Sequence, residues 1–337
     1  MDKSKNKSKN KSKINLSKNN TLRYVLISSI TVVIYLISLS TSNSYAEDIV
    51  SISERNIFKD SNDKLNLVGT LTNIGKTPLE VIIGVDVKKP FQNEPDVLNS
   101  KTFASVLYPH REVPFKFTIK NGESFEGSVF VVETKEVNKP LFATLKHQYS
   151  NIAMGEEKAL IGTIKNIGSS IINDVAVYAS VHSKDGTQLD SVKSAVIPIL
   201  YPGEEKPYKI IPEPTTRSLA YYYSCAGLDI NSPITTLDIG GGEFLAFDFE
   251  SASLVSNFNY DKSSDSIKFT IKPYNPEGGD LIFKIPQSNT NQKINISIDG
   301  KLHKEATITT DGKTITMKVS IPADEHNVII SGARNGV

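Results

Sequence analysis

Apolar and polar residues alternate along much of the chain in a pattern that predicts β-strands. In the segment 65–72, apolar side chains recur at nearly every second position, and the segment 160–164 repeats that period. Val, Ile and Tyr are dense over 79–87 and 174–181, which predicts two further strands. Short strands with turn signals about every ten residues, and almost no helical period, are typical of a β-sandwich. The pattern therefore predicts an all-β protein.

Two blocks of sequence recur at one constant spacing of 93 residues. Gly69–Gly75 returns as Gly162–Gly168, with five of seven positions identical. Leu107–Phe117 returns as Leu200–Ile210, with six of eleven positions identical. Two independent matches in one register are hard to obtain by chance, so they indicate a tandem duplication.

The Leu-Tyr-Pro blocks of the two copies differ where the chain is expected to turn. Pro202 and Gly203 suit the middle of a type II turn, because Gly accepts a positive φ. The equivalent position of the first copy holds His110, so its turn must differ or be strained. Two interpretations stay open: a relaxed type I turn, or a functional residue in place of Gly.

The region 239–337 lacks both blocks but also has the pattern of strands. Its predicted strands are Ser266–Ile271, Asp280–Ile285, Lys293–Ile298, Lys304–Thr309, Thr314–Ile321 and Asn327–Ile330. Asp299-Gly300 and Asp311-Gly312 predict hairpin turns. The triple glycine 240–242 is interpreted as a flexible linker into this region.

These observations divide the chain into four segments. Residues 1–46 form a leader, 47–138 and 139–238 form the two β-sandwich repeats, and 239–337 form a C-terminal β-sandwich. About a hundred residues per module is the usual size of such a sandwich. We expect the three modules to follow one another as a rod.

The leader differs from the rest of the chain in composition. It carries seven Lys, one Arg and one Asp, and its tract 3–18 has no apolar face, which predicts disorder. An apolar run, Tyr24–Leu39, then precedes small residues that end at Ala46, as in a secretory signal peptide. The run is shorter than the roughly 20 residues that span a bilayer. An uncleaved anchor that includes residues 40–44 stays open as the alternative, and both outcomes predict an extracytoplasmic body.

The charge of the chain and its cysteine content exclude one class of partner and two kinds of covalent modification. The chain after Ala46 carries 30 basic and 36 acidic side chains, and such a body repels phosphate, so nucleic acid is excluded as a partner. We expect contact with a membrane only through the leader, if it stays attached. Cys225 is the only cysteine, which excludes an intrachain disulfide and a lipid anchor on a cysteine after the signal. Cys225 is interpreted as a small buried side chain.

The sequence offers no recognisable catalytic or metal-binding constellation. The five histidines are scattered without the spacing of metal ligands, so we expect no metal or cofactor and no enzymatic activity. One weaker alternative is a calcium site formed by Asp261, Asp265 and Asp280, although no regular acidic loop pattern connects them.

Aromatic residues give the one candidate binding surface. Tyr221, Tyr222 and Tyr223 are consecutive, and Phe247 lies among the phenylalanines that follow the triple glycine. Side chains alternate across a strand, so we expect one side of this patch to be exposed. Exposed Tyr stacks on sugars or on partner proteins, and a packing surface between modules is the other interpretation.

The second copy resembles the FxLYD-type domain family. The resemblance rests on the strand Gly162–Gly168, the segment Val175–Val181, the Asp185-Gly186 turn and the Pro-Gly-Glu of 202–204. It implies an immunoglobulin-like sandwich in an extracytoplasmic prokaryotic protein of archaeal type, and it implies no catalytic residues. The first copy matches less well, and the C-terminal region looks like β-modules of archaeal secreted surface proteins.

Together these features predict three immunoglobulin-like sandwiches in a non-enzymatic envelope or surface protein. We expect it to act as a structural or interaction module whose partner is an envelope protein or a polysaccharide. The alternative function is that of an accessory protein that binds carbohydrate or another polymer through the Tyr221–Tyr223 region.

Overall fold

β-Strands make up most of this computed structural model, which describes residues 49–230, 234–288 and 292–334. The leader, with its apolar run Tyr24–Leu39, lies outside these ranges. Within them the one helix is the single turn α1 (Pro214–Arg217), and no helix is long and apolar enough to cross a membrane. The prediction of an all-β body is confirmed.

The first repeat contains two antiparallel sheets of three strands each. One sheet has the strand order β1-β2-β5 and the other has the order β4-β3-β6. Their strands are β1 (Val50–Lys59), β2 (Leu65–Asn73), β3 (Leu79–Lys88), β4 (Asp96–Lys101), β5 (Glu112–Ile119) and β6 (Ser124–Glu136).

The second repeat has a closely related arrangement. One sheet has the order β8-β9-β13, and in the other the long strand β10 pairs with β11, β12 and β14. These strands are β8 (Leu145–Tyr149), β9 (Leu160–Asn166), β10 (Ile172–His182), β11 (Gln188–Lys193), β12 (Ile197–Leu200), β13 (Glu205–Ile210) and β14 (Tyr222–Ile230).

The C-terminal region contains a hairpin, a four-stranded sheet and a six-stranded sheet. The sheet orders are β17-β20-β24-β23 and β22-β21-β25-β19-β18-β7, and β15 pairs with β16. The strands are β15 (Thr236–Gly240), β16 (Glu243–Ala246), β17 (Asp248–Glu250), β18 (Ser253–Asp261), β19 (Ser266–Pro273), β20 (Gly279–Pro286), β21 (Asn295–Ile298), β22 (Lys301–Leu302), β23 (Thr307–Thr310), β24 (Thr314–Ile321) and β25 (His326–Ser331), and β7 is Leu141–Phe142.

A buried asparagine makes equivalent hydrogen bonds in the two repeats. Asn73 Nδ2 donates to the carbonyls of Thr77 and Leu107, both at 2.8 Å. Asn166 Nδ2 donates to the carbonyls of Ser170 and Leu200, at 2.7 and 3.0 Å. Every partner is shifted by the spacing of the sequence repeat, so the duplicated blocks occupy equivalent places in two equivalent folds.

The turn at His110 has the conformation of the turn at Gly203. Their φ angles are 58° and 79°. The His110 N–H donates to the Asn73 carbonyl, and the Gly203 N–H donates to the Asn166 carbonyl. The relaxed type I turn is therefore wrong, because His110 adopts the left-handed backbone that Gly adopts in the second copy.

Apolar packing divides into two continuous clusters. The first repeat has its own core, which also takes in Tyr178 of the second repeat. The second repeat and the C-terminal region share one core. Leu71 and Ile164 are fully buried, as the predicted phase of their strands requires.

Two details differ from the predicted boundaries between segments. β7 belongs by sequence to the predicted second repeat, but it pairs with β18 at the edge of the C-terminal sheet. The predicted boundary between residues 238 and 239 falls inside β15.

Gly240–Gly242 have positive φ angles at the turn of the β15-β16 hairpin, so the interpretation as a flexible linker is wrong. The division into three modules stays a prediction.

Candidate interaction site

The three regions meet around a half-open cavity of about 390 Å³, which we call the junction cavity. The first repeat contributes the loop 104–108, and the second repeat contributes 228–230 at the end of β14. The chain that includes β7 (138–142) and the start of the C-terminal region complete the walls. A volume of this size at an interface between domains is typical of ligand or partner sites.

Apolar side chains form most of the walls of the junction cavity. They are Ala104, Val106, Leu141, Phe142, Leu228, Ile230, Ile234 and Phe249. Phe142 is anchored by edge-to-face contacts with Phe249 and Phe258, each with ring centroids 5.4 Å apart. The wall is thus held by the core of the C-terminal region and is preformed.

A buried carboxylate fixes one side of the junction cavity. Asp229 is 3% exposed, and its Oδ1 accepts from the N–H and the hydroxyl of Ser105, at 2.9 and 3.0 Å. Its Oδ2 accepts from Lys193 Nζ at 2.6 Å, and the same ammonium donates to the Phe103 carbonyl. The Asp229 carboxylate thereby joins a loop of the first repeat to two strands of the second repeat.

A second buried carboxylate joins the same two repeats elsewhere. Asp190 is 1% exposed and accepts from Lys116 Nζ at 2.8 Å and from the Glu213 N–H at 3.0 Å. Lys116 lies on β5 of the first repeat. Because a buried charge is tolerated only when it is paired, these contacts fix the relative position of the repeats.

Tyr108 connects the first repeat to the C-terminal region. Its hydroxyl donates to the Pro140 carbonyl at 2.9 Å, and its ring lies 6.0 Å from the ring of Tyr274. Burial raises the pKa of Tyr108, which keeps the phenol protonated as a donor. The first and third regions are in contact, which three modules joined only end to end would not allow.

Charged side chains of both signs lie at the rim of the junction cavity. Asp248 and Glu250 both pair with Lys284, at 2.9 and 2.8 Å. Two acidic groups thus share one ammonium, whose pKa is raised by the hydrogen bonds to Glu250 and Asp248. Lys139, also at the cavity, pairs with Glu80. The rim therefore presents charges of both signs, with the negative pair on β17.

The predicted aromatic surface is only partly exposed. Tyr221 is 53% exposed, and Tyr222 is half-buried with its ring stacked on His182 at 4.9 Å. Tyr223 is buried and donates to the Lys158 carbonyl, because alternation along β14 turns it into the core. Phe247 is buried against Phe283, so neither Tyr223 nor Phe247 contributes to an exposed surface.

An apolar patch surrounds the exposed tyrosine. We define the Tyr221 surface as Ile152, Met154, Leu219 and Tyr221, which are between 46% and 62% exposed. The Ala153 N–H donates to the Tyr221 carbonyl, which holds residues 152–154 beside Tyr221. Ile152, Met154 and Leu219 were missed because they lie in irregular chain with no periodic pattern.

The histidines and acidic residues do not form a metal cluster in the described ranges. His326 pairs with Asp299 at 2.7 Å, and His147 Nε2 lies 2.6 Å from the hydroxyl of Tyr208. The three carboxylates considered for calcium have separate partners: Asp261 binds Lys268, Asp280 binds Lys318, and Asp265 accepts from Tyr260 and from the Arg334 N–H.

The single cysteine has an unusual backbone conformation. Cys225 lies at a bulge where β14 pairs with β10, and its φ is 50°. Burial raises the pKa of its thiol to about 11, so the sulfur is protonated at neutral pH and is a poor nucleophile. The side chain is half-buried rather than fully buried.

A scan against models of protein families finds no family that matches this chain, and a search of curated proteins finds no match either. Assignment of a function therefore depends on the residues and their geometry.

Proposed function

We propose that this protein is a non-enzymatic component of the cell envelope or cell surface that acts as a structural and interaction module. The observation that carries the proposal is the junction cavity, a preformed apolar concavity whose walls come from three regions. Two buried carboxylates hold the repeats in register around it. A preformed surface of this kind lowers the entropic cost of binding.

The extracytoplasmic location in this proposal rests on the leader. Tyr24–Leu39 acts as a signal peptide or as an anchor, and the membrane is contacted only through it. We also infer that each region is an immunoglobulin-like sandwich and that the repeats are of the FxLYD type. The equivalent hydrogen bonds of Asn73 and Asn166 support the relationship between the repeats.

Protease treatment of intact cells that express the full chain tests the location. We expect an external protease to digest the body while a cytoplasmic marker stays intact. Mass spectrometry of the N-terminus then separates a chain that begins at Glu47 from one that keeps Tyr24–Leu39. Full protection of the body in intact cells, with digestion after lysis, would contradict the proposal.

The alternative function is binding of a polysaccharide at the Tyr221 surface, and the exposure of the Tyr221 ring among apolar neighbours favours it. A pull-down on insoluble polysaccharides compares Tyr221→Ala with Tyr201→Ala, since Tyr201 is 51% exposed elsewhere on the same repeat. Retention that is lost in Tyr221→Ala alone supports this alternative. Equal retention of both variants and the unmodified chain eliminates a role for Tyr221.

A further inference from the structure

A fully exposed phenylalanine projects from the loop between β3 and β4. Phe91 is 107% exposed, with a φ of 66°. The Gln92 N–H donates to the Lys89 carbonyl, so Pro90 and Phe91 are the central residues of a tight turn. With Pro first and a positive φ second, this is the pattern of a type II turn, in which the second position is usually Gly or Asn.

Phe91 thus carries two costs that no other residue of the described ranges offsets. Its backbone is in a conformation that costs a non-glycine residue about 1–2 kcal/mol. Its ring is wholly in water. Strained backbone conformations cluster at functional sites, which makes this turn a candidate for a contact. The loop is also ordered at its base, where Asp96 accepts from Lys89 and from Gln92.

The junction cavity has the size and the polarity that a phenyl ring requires. A phenyl ring fits in a cavity of roughly 150 Å³, and the junction cavity of about 390 Å³ has room for the ring together with part of its turn. Its walls are mostly apolar, as a ring requires.

The geometry of β3 excludes insertion within one molecule. Leu79, at the start of β3, pairs with Leu107, which adjoins the cavity walls Val106 and Tyr108. The Phe91 loop follows the other end of β3, ten residues along. At about 3.3 Å per residue, the ring and the cavity lie roughly 30 Å apart.

The charges that flank the ring complement those of the rim. Lys88 and Lys89 precede Phe91 and form exposed ion pairs with Glu126 and Asp96, and Glu94 follows the ring. Exposed pairs of this kind contribute little to stability and exchange readily for other partners. The rim presents the carboxylates Asp248 and Glu250, which share Lys284, and it also presents Lys139, which pairs with the exposed Glu80. The lysines of the loop match the two carboxylates in sign and Glu94 matches Lys139, and pairing of this kind fixes the register of a contact.

We propose that Phe91 of one copy inserts into the junction cavity of a second copy, so that the protein associates head to tail. The contact joins two different surfaces and leaves one ring and one cavity free at the ends, so chains extend unless the rotation closes a ring. The small contact predicts weak, reversible association. This inference deepens the proposed interaction role by naming a partner, and it does not depend on the location of the protein.

Sedimentation velocity of the purified full chain over a concentration series tests the proposal. We expect the mean mass of the unmodified chain to rise with concentration, and Phe91→Asp to remain monomeric. Thr235→Trp obstructs the cavity from an exposed position in its wall, and we expect it to be monomeric too. Val97→Asp is the matched control, since Val97 is 53% exposed on the adjoining β4, and it should associate like the unmodified chain.

Mixing the two monomeric variants gives the decisive result. Phe91→Asp keeps an intact cavity and Thr235→Trp keeps an intact ring, so the mixture should form dimers and nothing larger. Circular dichroism melting confirms that each variant is folded. The proposal is overturned if the unmodified chain stays monomeric, if Phe91→Asp associates normally, or if the mixture forms no dimer. If the protein does not associate but an external protease still digests it on intact cells, the head-to-tail contact is wrong and the proposed function is unaffected.

Discussion

At the scale of single residues, His110 shows how two copies of one fold can differ in strain. His110 has the left-handed backbone of Gly203. Its N–H donates to the carbonyl of Asn73, as the Gly203 N–H donates to the carbonyl of the equivalent Asn166. The left-handed conformation costs a residue with a Cβ about 1–2 kcal/mol, and Gly avoids that cost. The first repeat is therefore less stable at this turn than the second.

Exchange of the two turn residues tests this difference. We expect His110→Gly to raise the free energy of unfolding by up to about 1 kcal/mol, since part of the relief is offset by the greater entropy of the unfolded chain. Gly203→His should lower it by a similar amount. Nothing lies within 4 Å of a Cβ built on Gly203, so the effect belongs to the backbone. Urea denaturation measures both, and two changes of the same sign would refute the explanation.

His147 predicts a dependence of stability on pH. Burial lowers the pKa of His147 to about 4, whereas the unfolded chain has the ordinary value near 6.5. Between these values the unfolded chain binds the proton and the folded protein does not, so stability falls as the pH decreases from about 6.5 to 4. We expect the melting temperature of His147→Gln to decrease less over this pH range than that of the unmodified chain. An equal decrease in both would show that other groups cause it.

His326 is a control, because its effect on the pH dependence of stability is opposite to that of His147. The hydrogen bond to the Asp299 carboxylate raises the pKa of His326, so the folded protein binds the proton more tightly than the unfolded chain does. Its contribution is complete below about 6.5 and is lost as the pH rises through the raised pKa. In the same melts, His326→Gln should reduce stability at pH 6 but have less effect at pH 9.

At the scale of secondary structure elements, β2 shows how neighbours determine burial. Val68 and Thr70 point away from the core of the first repeat, yet they are buried. Gln188, at the start of β11, reaches the Gly69 carbonyl, so the second repeat covers this face of β2. Ile161 in the equivalent strand β9 is 47% exposed. Equivalent strands with similar sequences therefore have different environments in the two copies.

The contact between the repeats makes a prediction for its buried carboxylate. Asp229→Ala leaves the Ser105 N–H without its acceptor and leaves Lys193 with the Phe103 carbonyl but no carboxylate. We expect a loss of about 2–3 kcal/mol, because Lys193 is partly solvated. Ser105→Ala removes one hydroxyl contact and should cost about 1 kcal/mol. Asp248→Ala, with 58% of its side chain exposed, should change stability by less than about 0.5 kcal/mol. Urea denaturation measures all three, and equal effects of Asp229→Ala and Asp248→Ala would refute the contact as a structural element.

At the scale of the whole molecule, β7 connects the regions. Phe142 lies at the start of the second repeat in sequence, but its ring packs among Phe249 and Phe258 of the C-terminal region. It belongs to the single apolar cluster that the second repeat shares with that region. We therefore expect these two regions to unfold together.

Phe142→Ala tests this coupling. Removal of a nearly buried ring should cost about 3–4 kcal/mol and lower the melting temperature of the shared core. Phe91→Ala removes the same side chain from a fully exposed position and should have little effect on stability. Calorimetry of the full chain measures both. A separate transition of the C-terminal region that moves alone in Phe142→Ala would contradict a shared core.

The sequence by itself determined the all-β class, the repeat, many of the strands and much of the inner face of each sheet. The predicted strand Thr314–Ile321 is confirmed without change, Leu71 and Ile164 are buried, and Asp299-Gly300 and Asp311-Gly312 join paired strands. These features depend on the alternation of apolar and polar residues and on the residue types at turns. Both are properties of a few consecutive residues, so the sequence alone reveals them.

Only the tertiary structure decided which surfaces remain exposed. Tyr223 and Phe247 have the composition of a binding surface, but packing buries both. The junction cavity brings together residues from 104 to 250, and no local pattern encodes their proximity. Burial of the outer face of β2 and the pairing of β7 with β18 likewise depend on contacts between distant segments. Such contacts arise when complete sheets pack against each other. The alternation of apolar and polar residues along one strand does not specify which sheets will meet.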